Sequence, residues 1–248
     1  MNPDKTELLV SVKELITYSS IKLSNKNIKL NSILKHLGFI WDNNHSHKAT
    51  LQQVNINERI TQFQAAGHAL IRSGIRFTHP STIVQLYCSL LVPKLTYGLE
   101  ICDINNNTQQ KLNTTARSML KSLFNVSKHS RNYINQYFNL KNISDLVNQN
   151  KVNLFQRLMS NPCTSKIILN QLENNHSSTF ISDVMNLCSS SNINFFDLLL
   201  TDKKFKLPSE EIQLPNNTRQ IIATAFKFWQ TKEQRQIFQN LLEERIPR

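Results

Sequence analysis

Glycine is scarce in this chain, with 4 in 248 residues. Backbone-cradled phosphate loops need glycine, and no G-x-x-x-x-G-K-[ST] loop, G-x-S-x-G elbow or H-E-x-x-H helix occurs. Long apolar runs are also missing. None approaches the roughly 18 residues of a membrane span, so no membrane partner is expected. The first fifteen residues contain Asp4, Glu7 and Glu14, which fits neither a signal nor a transit peptide. The four cysteines, Cys88, Cys102, Cys163 and Cys188, never form a C-x-x-C pair. That spacing argues against a zinc site or disulfide framework and for reduced thiols in an intracellular, non-secreted protein of nucleus or cytoplasm. Asp42, His45 and His47 lack a fourth ligand, so no metal site is assigned there. No two aspartates are adjacent, and Glu210-Glu211 and Glu243-Glu244 sit in polar contexts.

Acidic residues are absent from one long stretch, and this is the main clue to a partner. The net charge is +12. Residues 59–157 hold 12 basic and 3 acidic side chains, whereas 1–58 hold 7 and 5 and 158–248 hold 10 and 9. Between Asp103 and Asp145 there is no acid, but Lys111, Arg117, Lys121, Lys128, Arg131 and Lys141 are present. A one-signed block within a foldable segment points to a polyanion, most simply a phosphate backbone. The alternative is a solvated surface in a Lys-rich protein.

Hydrophobic residues make up 40% of the chain, enough for a real core. Residues 7–12, Ile28-Lys29-Leu30 and the period-two set Leu37, Phe39, Trp41 read as two or three short antiparallel strands. From Leu51 the pattern becomes helical, with a stripe of Leu51, Val54, Ile60, Phe63, Gly67 and Leu70. After a break at Arg72–Thr78, His79-Pro80-Ser81 opens a second helix that buries Ile83, Leu86, Tyr87, Leu90 and Leu91, and Pro93 kinks or ends it. A third helix near 108–124 buries Leu112, Ala116, Met119, Leu120 and Leu123, with Arg117 and Lys121 on its outer face. Further helices are expected near 131–139, 143–160, 164–173 and 179–188. After a loop bracketed by Pro208 and Pro215 a last pair follows, near 217–229 and 232–244, packed by Phe226, Trp229, Phe238 and Leu241. The expected fold class is mainly α (α+β).

Three strings in order carry a resemblance: Met1-Asn2-Pro3-Asp4-Lys5-Thr6-Glu7, Lys35-His36-Leu37-Gly38-Phe39 and Leu91 to Glu100, Leu-Val-Pro-Lys-Leu-Thr-Tyr-Gly-Leu-Glu. At this spacing the chain resembles non-LTR (LINE-type) retrotransposon reverse transcriptases downstream of their catalytic centre. The resemblance covers residues 1 to about 160 and implies three parts: end of palm and primer grip (1–48), a thumb-like helical domain (49–160) and a C-terminal helical region (161–248). It implies a supporting role for Lys5 beside the nucleotide triphosphate in the parent enzyme, where a cation stabilises developing phosphate charge. Lys35 and Gly38 would hold primer, and Lys111, Arg117, Lys121, Lys128 and Arg131 would face an RNA or RNA–DNA template–primer duplex. The Tyr-X-Asp-Asp signature of the family does not occur in this sequence. The expectation is therefore a truncated RNA-directed DNA polymerase, inactive alone, that needs no cofactor in this fragment. Mg²⁺ would be expected in the full-length family enzyme. An internal methionine taken as a start would account for such a truncation. The alternatives are a non-catalytic helical nucleic-acid-binding or scaffold protein of transposon origin, or a functionless pseudogene product. The Leu91–Glu100 string is read as structural, with Tyr97 and Gly98 fixing a turn.

Overall fold

The computed structural model describes residues 7–9, 21–23, 26–31, 33–36, 39–42, 48–173, 179–200, 205, 207–208, 214–227, 229, 231–233, 235–236 and 240. They are mainly helical, and the chain forms two compact units, Met1–Glu58 and Arg59–Arg248. None of the described helices is long and apolar enough to cross a membrane.

The first unit contains the short strands β1 (Glu7–Leu9), β2 (Ile21–Leu23), β3 (Lys26–Asn31), β4 (Ile33–His36) and β5 (Phe39–Asp42). The single antiparallel element expected over 1–48 is not what the backbone forms. β3 pairs with β2 antiparallel but with β1 in parallel, and β4 and β5 make a separate two-stranded ladder. Side-chain alternation marks a strand without marking its direction. Asn55, 1% exposed, accepts a hydrogen bond from the Ile40 N–H at 2.8 Å and donates to the Ile40 carbonyl at 3.0 Å. Its amide thus serves the backbone of β5 as a neighbouring strand would.

The helix α1 (Lys48–Arg72) runs through the division between the units. Ile56, Ile60 and Phe63 are buried, whereas Val54, expected in the stripe, is 38% exposed. A Cβ on Gly67 would collide with the Met119 sulfur, so glycine permits a close approach there. The break after Arg72 is a left-handed Gly74 (φ 83°) and a 3₁₀ turn, Ile75–Phe77.

His79 then caps α2 (Pro80–Leu86), its Nδ1 accepting the Ser81 N–H at 3.3 Å, with Pro80 in the first turn where a missing N–H is harmless. A π-helical turn, Tyr87–Leu91, leads into α3 (Val92–Thr96), which carries Pro93. Proline cannot donate to the preceding turn and crowds its carbonyls, and widening that turn relieves both conflicts. The widening also re-aims the side chains. Ile83, Tyr87, Leu91, Leu95 and Leu99, each four apart, are buried, while Leu90 is turned out at 46% exposure. Leu86 is only half-buried. Gly98, left-handed at φ 75°, ends α3 and starts the 3₁₀ turn Leu99–Ile101.

The helix α4 (Asn106–Leu123) begins at Asn105, whose side chain accepts the Thr108 N–H at 2.9 Å. Leu112, Ala116, Met119, Leu120 and Leu123 are buried as the periodicity requires. α5 (Tyr133–Tyr137), α6 (Ile143–Ser160), α7 (Pro162–Glu173), α8 (Thr179–Ser190), α9 (Phe195–Leu200) and α10 (Asn216–Lys227) follow in the second unit. Lys232, Glu233, Arg235, Gln236 and Asn240 beyond them are helical, within the last helix expected near 232–244. Val152, Phe155, Ile168, Ile181, Val184, Cys188 and Leu198 make a core shared by α6 to α9. Phe238 and Leu241 lie outside the described residues.

All four cysteines are free; Cys88 and Cys163 are exposed, Cys102 and Cys188 buried. Burial pushes the Cys102 thiol up to about 11, outweighing the opposing pull of Lys151. The folded chain should therefore show two alkylatable thiols near pH 8, the exposed Cys88 and Cys163. Mass spectrometry before and after denaturation counts them, and rapid labelling of Cys102 in the native protein would contradict this packing. Cys102 also ties stability to pH: its contribution is complete below the ordinary thiol range and is lost as pH rises towards 11.

Candidate nucleic-acid interface

The six cations of the acid-free stretch do not share one environment. Lys111 is exposed on the first half of α4. Arg117, two turns on, is half-buried and donates from Nη2 to Asn142 Oδ1 at 2.7 Å. One turn before it, Asn113 accepts the Ser144 N–H at 3.1 Å and donates to Ser144 Oγ at 3.0 Å. Asn142 stands at the N-cap of α6 but makes no side-chain cap bond. Its oxygen is taken by Arg117, and Asn113 on α4 satisfies the helix N–H instead. The pair Asn113 and Arg117, four apart on one face of α4, thus docks the start of α6.

Lys121 is 8% exposed, which corrects the expectation that it lies on the outer face of α4. The chain after α4 folds back over it. Phe124 and Val126 are buried, Asn125 adopts a left-handed φ of 54°, and the Val126 N–H returns to the Lys121 carbonyl at 2.9 Å. Lys121 Nζ donates to the carbonyls of Lys128 at 3.1 Å and Ser130 at 2.6 Å. Desolvation lowers the pKa of this ammonium, and the charge of Arg117 lowers it further.

The folded-back segment presents Lys128, His129 and Arg131 to solvent. Ser130 closes its turn, donating from N and Oγ to the Ser127 carbonyl at 3.1 and 2.7 Å. Arg131 lies 5.6 Å over the Tyr133 ring and donates from Nη1 to the Tyr133 hydroxyl. Lys141, exposed just before α6, adds a further cation of the acid-free stretch. Four of the six cations, Lys111, Lys128, Arg131 and Lys141, therefore remain on the surface, and His129 joins them.

Of the remaining expected site residues, Lys35 lies in β4 opposite Ile40. Lys5 and Gly38 lie outside the described residues. The structure therefore brings together Lys128 and Arg131 on one loop and places Lys121 beneath it. No family model matches the chain, and neither a curated protein nor a solved structure matches it.

Proposed function

We propose that the second unit binds the sugar–phosphate backbone of an RNA or RNA–DNA duplex without catalysis, through Lys128 and Arg131 with support from Lys111 and Lys141. One observation carries this reading. Across 41 residues free of acid, four cations stay solvent-facing, and two of them stand on a loop held by bonds from Lys121 and Ser130. Exposed cations gathered on one unit attract phosphates and release counterions when they bind. The contacts on offer are to the backbone, so little sequence choice follows. The three-string likeness to LINE-type reverse transcriptases makes a template–primer duplex the favoured ligand, with the chain acting as a thumb-like part of such a polymerase. A scaffold of transposon origin that binds nucleic acid the same way is the alternative.

The test is a titration of a fluorescent RNA–DNA hybrid with the purified chain at salt concentrations from about 50 to 200 mM, read by anisotropy. The log of the binding constant should fall linearly with the log of salt, and an unrelated sequence of equal length should bind alike. Absence of binding at the lowest salt would defeat the reading.

A further inference from the structure

The sequence groups Lys121 with the duplex-facing cations, but its surroundings give it another task. Its ammonium carries three protons, and two are donated to main-chain carbonyls of the loop. At 8% exposure little of the side chain can reach a phosphate. We propose that Lys121 is a positioning residue: its buried ammonium clamps the loop that presents Lys128 and Arg131 to a nucleic-acid backbone. This inference rests on the binding function proposed above.

The clamp has two sides. From the helix, Lys121 reaches the carbonyls of residues 128 and 130, which bracket His129. Within the loop, the Ser130 hydroxyl, itself 8% exposed, returns to the Ser127 carbonyl, and the His129 N–H donates to Ser127 Oγ at 3.3 Å. The buried Leu123, Phe124 and Val126 anchor the entry to the loop. Pointing carbonyls inward at an ammonium also removes partial negative charge from the surface that a phosphate would approach. A loop fixed before binding does not have to be ordered during it, which raises affinity without adding a contact.

This role separates from its rivals in a salt titration. Replacing Lys121→Met keeps the stem and removes the charge. If the residue positions the loop, duplex affinity should fall about tenfold while the slope of log K against log salt stays unchanged, because Lys128 and Arg131 still meet the same phosphates. A direct phosphate contact would instead shallow that slope by about 0.7–0.9. A purely structural residue would lower Tm and leave the affinity of the folded chain intact. Either of the last two results overturns the proposal. Hydrogen exchange in the absence of nucleic acid reads the clamp itself: the Ser130 amide, bonded to the Ser127 carbonyl at 3.1 Å, should lose protection in the variant. If Lys121→Met does not fold, Ser130→Ala loosens the same loop from its other side and should give a smaller affinity loss at constant slope; unchanged affinity there overturns the proposal. Failure of the unaltered chain to bind any duplex would remove the binding function and this role with it, whereas retained binding with an unaffected Lys121→Met would remove only the role.

Discussion

Lys151→Met should destabilise the second unit by about 3 kcal/mol or more, the cost of leaving one partner of a buried ion pair alone. Lys151 stands in the middle of α6 with 6% of its side chain exposed, and its Nζ reaches Asp183 Oδ2 on α8 at 2.6 Å. The same ammonium donates to the Cys102 carbonyl at 2.9 Å, at the end of the 3₁₀ turn that follows Gly98. One charge therefore ties together three segments far apart in sequence. Losing it strands a carboxylate that is 24% exposed and a main-chain carbonyl, and neither can recover full hydration. The neighbouring positions are apolar: Val152 and Phe155 on α6 and Val184 on α8 are fully buried. An apolar pair could therefore fill the gap. Lys151→Met combined with Asp183→Leu should recover most of the loss, since exchanging a whole buried pair for packed apolar groups is often neutral. Urea unfolding of the two single variants and the double variant measures this. A cost below about 1 kcal/mol for Lys151→Met would put the pair among ordinary surface bridges.

Trp229→Ala should cost about 3–5 kcal/mol, the range for deleting a large buried aromatic. Trp229 is 1% exposed and meets Phe124 edge-on at 5.7 Å and Phe226 at 5.5 Å. Phe226 in turn stacks on Phe138 at 5.5 Å and meets Tyr137 edge-on at 5.1 Å. These rings join the end of α4, α5 and α10, so the loss should be felt first in α10. Its amides should exchange close to the unprotected rate in the variant while those of α6 keep their protection. Trp229→Phe, which restores most of the ring surface, should cost less than half as much. Equal losses from both variants would mean that the ring cluster is not what holds α10.

How far the sequence discloses this fold depends on whether a feature is set locally. The buried face of α4 follows from spacing alone, as do the start of α2 at His79-Pro80 and the turn at Gly98. The role assigned to Phe226 and Trp229 also holds. Leu90 belongs to the buried face only at 3.6 residues per turn, and the wider turn before Pro93 turns it outward. The helix Phe195–Leu200 carries no such signal, because Phe-Phe-Asp-Leu-Leu-Leu has no helical or strand period. The misplacement of Lys121 is instructive for the site. Helical angle alone puts it beside Arg117, and only the return of residues 124–130 across the end of α4 buries it. Lys151 and Asp183, 32 residues apart, have no local signal at all. The cue that survives from sequence to site is the acid-free run of chain between Asp103 and Asp145, from which Lys128 and Arg131 emerge exposed.

If those two side chains hold phosphates, changing them together should show it. Lys128→Ala with Arg131→Ala should weaken hybrid binding and reduce the slope of log K against log salt by about 1.4–1.8, two contacts' worth, without lowering Tm, since both side chains are exposed. Lys166→Ala with Lys232→Ala removes the same charge from exposed positions outside the acid-free stretch and should leave the slope nearly unchanged. Identical slopes for the two double variants would mean that Lys128 and Arg131 hold no phosphate and would reduce the basic stretch to a solvated surface.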